Sequence, residues 1–249
     1  LTPSLSYMND DQPHTFDEFW FCEQFRKRAI ELNSREIPQD SLDEWLFQMR
    51  HYGAPSRLMD WSEGALIALF FAVNEIDINK ENDDAIIYML QPFLWNKAAS
   101  YGYAVPESRH PKIRSYFKLA FTQNKLTTVN QSDNDIFGRY ALAVRPPVIN
   151  RRMVAQRSVF TVHGSELTLG SNERHNELQV DLLKQATIIS KNVEESRQGN
   201  LLAGIKIDCD AKGSIKKELE LMGITSYTLF TDLDGLVKEL TFKYKDTNR

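Results

Sequence analysis

The chain has 249 residues, 42% of them hydrophobic and 26% charged, with a formal net charge of −4. That length and apolar content suffice for one large core or two small ones and exclude a predominantly disordered chain. The acidic balance excludes a protein that coats nucleic acid by bulk electrostatics and leaves room only for a local basic patch. No apolar run is long enough for a membrane span, and Leu1 opens no charged-then-apolar leader, so a cytoplasmic protein without membrane contact is expected. Cys22 and Cys209 have neither disulfide-framework nor zinc spacing and are expected to be buried small hydrophobes.

In chain order, Phe16, Phe19, Trp20, Ala29 and Ile30 keep roughly helical spacing over 15–33, and Pro38 separates this segment from the next. Ser41 and Glu44 form a capping-box pattern before a stripe of Leu42, Trp45, Leu46 and Met49, which predicts a second helix ending beside His51. The run from His51 to Ser62 then gathers an imidazole, hydroxyls, a guanidinium, a carboxylate and an indole in one turn, stiffened by Gly53 and Pro55. No ordinary core segment needs that mixture, and a stiff polar turn suits a binding or catalytic site.

Glu63 to Val73, whose stretch from Ala65 is apolar on every side, reads as a buried helix capped by Ser62, with Asp60 and Trp61 just outside its first turn. Exposed N–H groups and the positive dipole end there would favour an anion such as a phosphate. A charged loop over 77–84 precedes a strand at 85–90. Residues 91–140, with recurrent aromatics and with Pro106 and Pro111, read as an irregular insertion containing a helix near 113–121. Strands are expected at 141–149 and 158–163, separated by Arg151, Arg152 and Gln156 and followed by a polar loop over 164–174. An element at 201–207, a helix at 214–222, a strand at 226–230 and a helix at 233–240 complete the chain. The economical architecture is one α+β domain over 1–249, a mixed or antiparallel sheet with helices of the amino-terminal half packed on it.

Rossmann, P-loop, zincin and hydrolase-elbow chemistries lose support because none of their motifs occurs. The five histidines, His14, His51, His110, His163 and His175, have no metal-ligand spacing, so no metal is expected.

The stretch from Trp45 to Val73, with Arg50-His-Tyr-Gly-Ala-Pro-Ser-Arg-Leu-Met-Asp-Trp-Ser62 at its centre, resembles the FRG-domain family, which is named for a Phe/Tyr-Arg-Gly motif. The segments Arg151 to His163, with its Gln156-x-x-x-Phe160 pattern, and Leu229 to Val237 resemble later parts of the same family. Arg50 stands where the family usually has Gln, and Ser56 and Ser62 stand where it usually has Thr, keeping the hydroxyl. The naming motif is absent and Leu1 to Ser6 resembles the segment that follows it, which implies a start downstream of that motif.

The resemblance implies an NAD-dependent ADP-ribosyltransferase-like toxin or antiphage defence effector, acting on RNA, DNA or protein and paired with an antitoxin. Such a transfer needs arginines for the pyrophosphate, an aromatic wall for nicotinamide, hydroxyls or amides for ribose, and a carboxylate at the reacting centre. Arg57 would grip phosphate, Trp61 or Tyr52 would stack, Ser56 would bind ribose, Gln156 would fix an amide, and Asp60 or His51 would move a proton. Arg151 and Arg152 would bind the substrate, and Glu166 and Asp232 are the other candidate carboxylates. Each has a bland counterpart: an internal Arg57–Asp60 ion pair, His51 satisfied at a helix end, Trp61 and Phe160 in the core, Gln156 as a brace, Arg151 and Arg152 on a solvated turn, and Glu166 and Asp232 as loop or cap residues. A noncatalytic nucleotide- or nucleic-acid-binding module and a metal-dependent nuclease are the competing classes.

Overall fold

Helix and strand boundaries in this chain follow what each segment can bury. The computed structural model describes residues 18–32, 37–74, 83–99, 101–114, 117, 140–148, 150–163, 181–190 and 200–247. The elements run α1 (Glu18–Ala29), α2 (Leu42–His51), β1 (Leu58–Ser62), α3 (Ala65–Val73), β2 (Ala85–Leu90), α4 (Pro92–Ala98), β3 (Leu142–Val144), α5 (Arg151–Ala155), β4 (Ser158–Val162), α6 (Leu182–Ile189), β5 (Leu202–Ile207), α7 (Lys212–Leu221), α8 (Ser226–Phe230) and α9 (Leu233–Thr247). The fold class is α+β: a three-stranded sheet of order β1-β4-β3 and a two-stranded sheet β2-β5, with helices around them. β3 and β4 pair antiparallel with Leu142 opposite Val162, and β2 and β5 pair antiparallel with Ala85 opposite Ile207. No helix among the described residues is long and apolar enough to cross a membrane.

The chain divides into two compact units, one spanning 1–60, 91–147 and 160–201, the other 61–90, 148–159 and 202–249. In the first, α2 presents Trp45, Leu46, Phe47 and Met49 to a core that includes Leu58, Trp95, Ile113, Phe117, Leu142 and Phe160. The Phe47 ring meets the rings of Phe117 and Phe160 edge-on, at 6.2 and 4.9 Å between centroids.

Part of the expected irregular insertion is therefore core. Pro92 starts α4 at a position where a missing N–H costs nothing, and the helix buries Trp95 and Asn96 completely. The Trp95 indole donates to the Ala141 carbonyl at 2.7 Å, and Asn96 exchanges two 2.8 Å bonds with the Ala143 backbone and donates a third to Ala104. A mixture of aromatics and prolines conceals such a helix because its constraint is long-range. Residues 111–114 are helical and Phe117 is buried, while the remainder of the expected 113–121 helix lies mostly outside the described residues, as do most of the 77–84 loop and all of the 164–174 loop.

The capping box at Ser41 is not formed. Ser41 makes no cap bond with its side chain, and its hydroxyl accepts instead from Arg114 at 3.3 Å. Asp43 and Glu44 are buried against Ser108, Arg109 and Arg114, partners far away in sequence. Burial pushes the Asp43 carboxyl above its usual range, partly offset by the Arg114 guanidinium. The strand expected over 141–149 is only Leu142–Val144, because Pro146 and Pro147 cannot donate to a ladder.

In the second unit, Ile67, Phe70, Val73, Ile207, Leu219 and Leu229 form the core. Helix α3 was expected to be buried all round, yet Leu66 and Phe71 are exposed, since a two-stranded sheet and its helices cover only one side of it. The segment 226–230, expected as a strand, is helix α8: Thr225 and Thr228 form a reciprocal capping box that outweighs the β-preference of Tyr and Thr. Thr231 ends it in the left-handed region at φ 53°. A Cβ on Gly235 would lie 2.8 Å from the Ser226 carbonyl, so glycine permits α9 to approach α8 closely. Helix α9 continues seven residues beyond its expected end at 240, to Thr247. Cys22 is buried, its thiol pushed up to about 12 chiefly by desolvation, whereas Cys209 is only partly buried, contrary to expectation.

Asn96→Ala would leave the Ala143 N–H and two carbonyls without partners, so unfolding free energy should fall by about 2–4 kcal/mol. A lowered urea midpoint at unchanged slope would show it, whereas an unchanged midpoint would mean that these bonds are replaced at no cost.

Candidate functional site

The polar run begins where α2 ends. The Gly53 N–H bonds to the Arg50 carbonyl at 2.9 Å and the Ala54 N–H to Met49 at 3.2 Å, with Gly53 at φ 81°, so the reversal uses a conformation that favours glycine. The chain then enters β1, which contains Asp60, Trp61 and Ser62. This overturns the expected anion position. Gly64, not Ser62, occupies the cap position of α3, and the Ser62 hydroxyl accepts from the Gly64 N–H at 3.0 Å while donating to the Gln156 carbonyl at 2.8 Å.

The ion pairs also differ from expectation. Arg57 is 1% exposed and bonds Glu18, the first residue of α1, through its backbone N–H at 2.8 Å and its Nε at 2.5 Å. Glu18 is likewise 1% exposed. Asp60 is held by Arg50, whose Nε donates to Oδ2 at 2.7 Å and whose Nη2 bonds the same oxygen. Extended backbone carries residues three apart to opposite faces, which separates Arg57 from Asp60; helical spacing would have paired them. Glu18 offered no signal in the sequence, but Arg50, standing where Gln is usual in the resembling family, was a visible marker of the second pair.

Ser56 is fully buried, and its hydroxyl accepts from the Leu58 N–H at 3.3 Å. His51 is half-buried with its ring 5.1 Å from that of Tyr52, which is 69% exposed and lies 6.5 Å from the Phe25 ring. Thus Arg50, His51, Tyr52 and Asp60 reach solvent to differing degrees, while Ser56 and Arg57 hold the turn from within.

His163 joins this region without having been singled out in the sequence. Its main-chain N–H bonds the Arg57 carbonyl at 3.0 Å, its side chain is fully buried, and among the described residues neither ring nitrogen has a hydrogen-bond partner. Burial first, and the Arg57 guanidinium second, push its pKa down to about 3, so the ring is neutral.

The remaining candidates fall in the second unit. The Gln156 side chain donates to the Leu229 carbonyl at 3.2 Å, the geometry of a brace. The Arg152 guanidinium lies 4.6 Å from the centre of the Phe230 ring, Arg151 is exposed and Trp61 is half-buried. Asp232 accepts from the Gly235 N–H at 2.7 Å, as a helix-capping residue does, and Glu166 lies outside the described residues. Asp84, Asp208 and Cys209 place their ligand atoms within 4.8 Å of one another, but the Lys206 ammonium bonds Asp84 at 2.6 Å where a cation would compete with it.

An α+β fold carrying a buried arginine–carboxylate brace in one unit with a half-buried His51 and the exposed Tyr52 and Asp60 is the class this site defines. Residues 1–81 match the family model of the FRG domain, a segment that includes α1, α2, β1 and α3 and with them Glu18, Arg50, His51, Arg57 and Asp60. No curated protein and no solved structure gives a significant match to the chain.

Glu18→Gln strands a buried guanidinium and should cost about 3–5 kcal/mol, whereas Glu18→Leu combined with Arg57→Met should cost much less. A double-mutant cycle by chemical denaturation measures the difference, and additive losses would sink the brace assignment. His163 gives a pH signature. Its folded pKa of about 3 lies below the unfolded 6.5, so its contribution is complete above about 6.5 and is lost as pH falls toward 3. Over that window its share of the stability slope should be on the order of 1 kcal/mol per pH unit and should vanish in His163→Leu. Equal slopes for the two proteins would contradict a buried neutral ring.

Proposed function

We propose that the chain is an ADP-ribosyltransferase-like enzyme that takes NAD as donor, modifies a macromolecular acceptor and works in the cytoplasm as a toxin or antiphage effector restrained by an antitoxin partner. The observation that carries this is the exposed Asp60 carboxylate, aimed by Arg50, in the same unit as His51 and the exposed Tyr52 ring, all within the segment that matches the FRG domain.

In the proposed transfer the bond between nicotinamide nitrogen and ribose carbon breaks, and nicotinamide leaves with the bonding electrons. A lone pair of the acceptor forms the new bond to that carbon, and the acceptor's proton passes to Asp60 or His51. Tyr52 supplies the aromatic wall for nicotinamide. Arg57 and Ser56 act as positioning residues: they are sealed in the protein and hold β1 so that Asp60 emerges at its surface.

A noncatalytic nucleotide-binding module is the second reading, favoured by the fact that Asp60 already has a cationic partner. Nicotinamide release from labelled NAD by the full-length protein, with RNA, DNA and protein supplied separately, distinguishes the two. Acceptor-dependent release, reduced about 10²–10⁴-fold in Asp60→Asn with the fold retained, is the expected result. NAD binding without release in the presence of any of the three polymers would discard the transferase in favour of the binding module.

A further inference from the structure

The segment 148–159 contains Arg151, Arg152 and Arg157 and no carboxylate, in a chain whose overall charge is negative. Two elements distant in sequence bring cations to one aromatic ring. The Arg152 guanidinium of α5 lies 4.6 Å from the centre of the Phe230 ring, and the Lys238 ammonium of α9 lies 5.1 Å from the same centre. Among the described residues neither forms an ion pair, and nor does the exposed Arg151, which precedes Arg152 on α5. Lys243, on the same helix as Lys238, is by contrast bonded to Glu239 at 2.7 Å and approaches Glu220 at 3.7 Å. Both cations rest on the ring quadrupole and not on a carboxylate, so an approaching anion has no carboxylate to displace from them.

A second feature of the patch narrows the anion. Tyr227 precedes Phe230 by three residues on α8, so the two rings are neighbours along one face of that helix, and Tyr227 is 49% exposed. Cations that meet a backbone, beside an open aromatic face that meets a base, are the components of a surface for single-stranded nucleic acid. An acidic protein would use the charges and leave the ring without a matching partner.

We propose that Arg151, Arg152, Lys238 and Tyr227 form a binding surface for single-stranded nucleic acid, the cations on phosphates and Tyr227 stacked on a base. The further statement that this polymer is the acceptor of the transfer rests on the reading given under Proposed function. The contact is a local one, set on a unit that is otherwise acidic or balanced, so affinity depends on these few side chains and not on net charge.

Fluorescence anisotropy of labelled oligouridylate and oligothymidylate with the full chain tests the surface. Three phosphate contacts on a single strand predict a slope of about −2 for log affinity against log salt, hence about a 20-fold loss between roughly 50 and 200 mM. Arg152→Gln and Lys238→Gln should each reduce that slope by about 0.7, Arg152→Lys should preserve it, and Lys243→Gln should leave it unchanged. Tyr227→Ala should weaken binding about tenfold, with Tyr227→Phe restoring it. Salt-independent binding, equal slopes in all variants, or displacement by polyglutamate as readily as by unlabelled oligonucleotide would overturn the proposal. Nicotinamide release is scored separately. Release without oligonucleotide binding defeats the surface and spares the transferase, and salt-dependent oligonucleotide binding without release does the reverse.

Discussion

The ion pair between Glu18 and Arg57 is the constraint on which the first unit is organised. Two charges removed from water carry a desolvation penalty of several kcal/mol each, and their attraction offsets it only in good geometry with further hydrogen bonds. Glu18 meets that condition by accepting both the Arg57 side chain and its main-chain N–H, so the carboxylate grips the backbone as well as the charge. The pair therefore ties the first turn of α1 to the entry of β1, leaving little freedom in how the strand begins. What emerges from that strand, Asp60 with its Arg50 partner, inherits its position from a contact that solvent does not reach.

Polar pins of the same kind recur around it. Asn96 fixes Ala143 from both sides, the Trp95 indole and the Gln185 carboxamide share the two backbone groups of Ala141, and Asp43 and Glu44 engage the 108–114 segment. Each joins residues more than forty apart in the chain, and each is directional, so together they select one arrangement among the many that an apolar core alone would tolerate. His163 is the exception. A neutral ring buried with no partner at either nitrogen among the described residues is costly. Its place beside Arg57 puts that cost at the candidate site.

The second unit works by different means. Its core is small and apolar, α8 is held by a capping box, and Gln156 is committed to the Leu229 carbonyl, so its polar side chains brace short helices. That leaves Arg152 of α5 and Lys238 of α9 at the Phe230 ring with no carboxylate partner among the described residues. The same helix that ends in the strained Thr231 thus carries both the ring that gathers cations and the exposed Tyr227.

Much of this was legible in the chain. The α+β class, α2 with its apolar stripe, β2 to the residue, the core position of Phe160 and the family resemblance of 45–73 all follow from local periodicity, turn chemistry and a contiguous motif. What failed failed for physical reasons. Ser41 and Ser62 read as caps because their neighbours in sequence fitted, but partners distant in sequence claimed their hydroxyls; 226–230 read as a strand because side-chain preference was weighed above its cap; 91–140 read as irregular because the bonds that make α4 core lie some fifty residues away. The sequence by itself determined which residues carry chemistry, since residue type and local spacing are written in it. Only the tertiary structure decided which arginine met which carboxylate, because pairing across thirty-nine residues depends on which backbone faces the fold brings together and on which of them it closes to water.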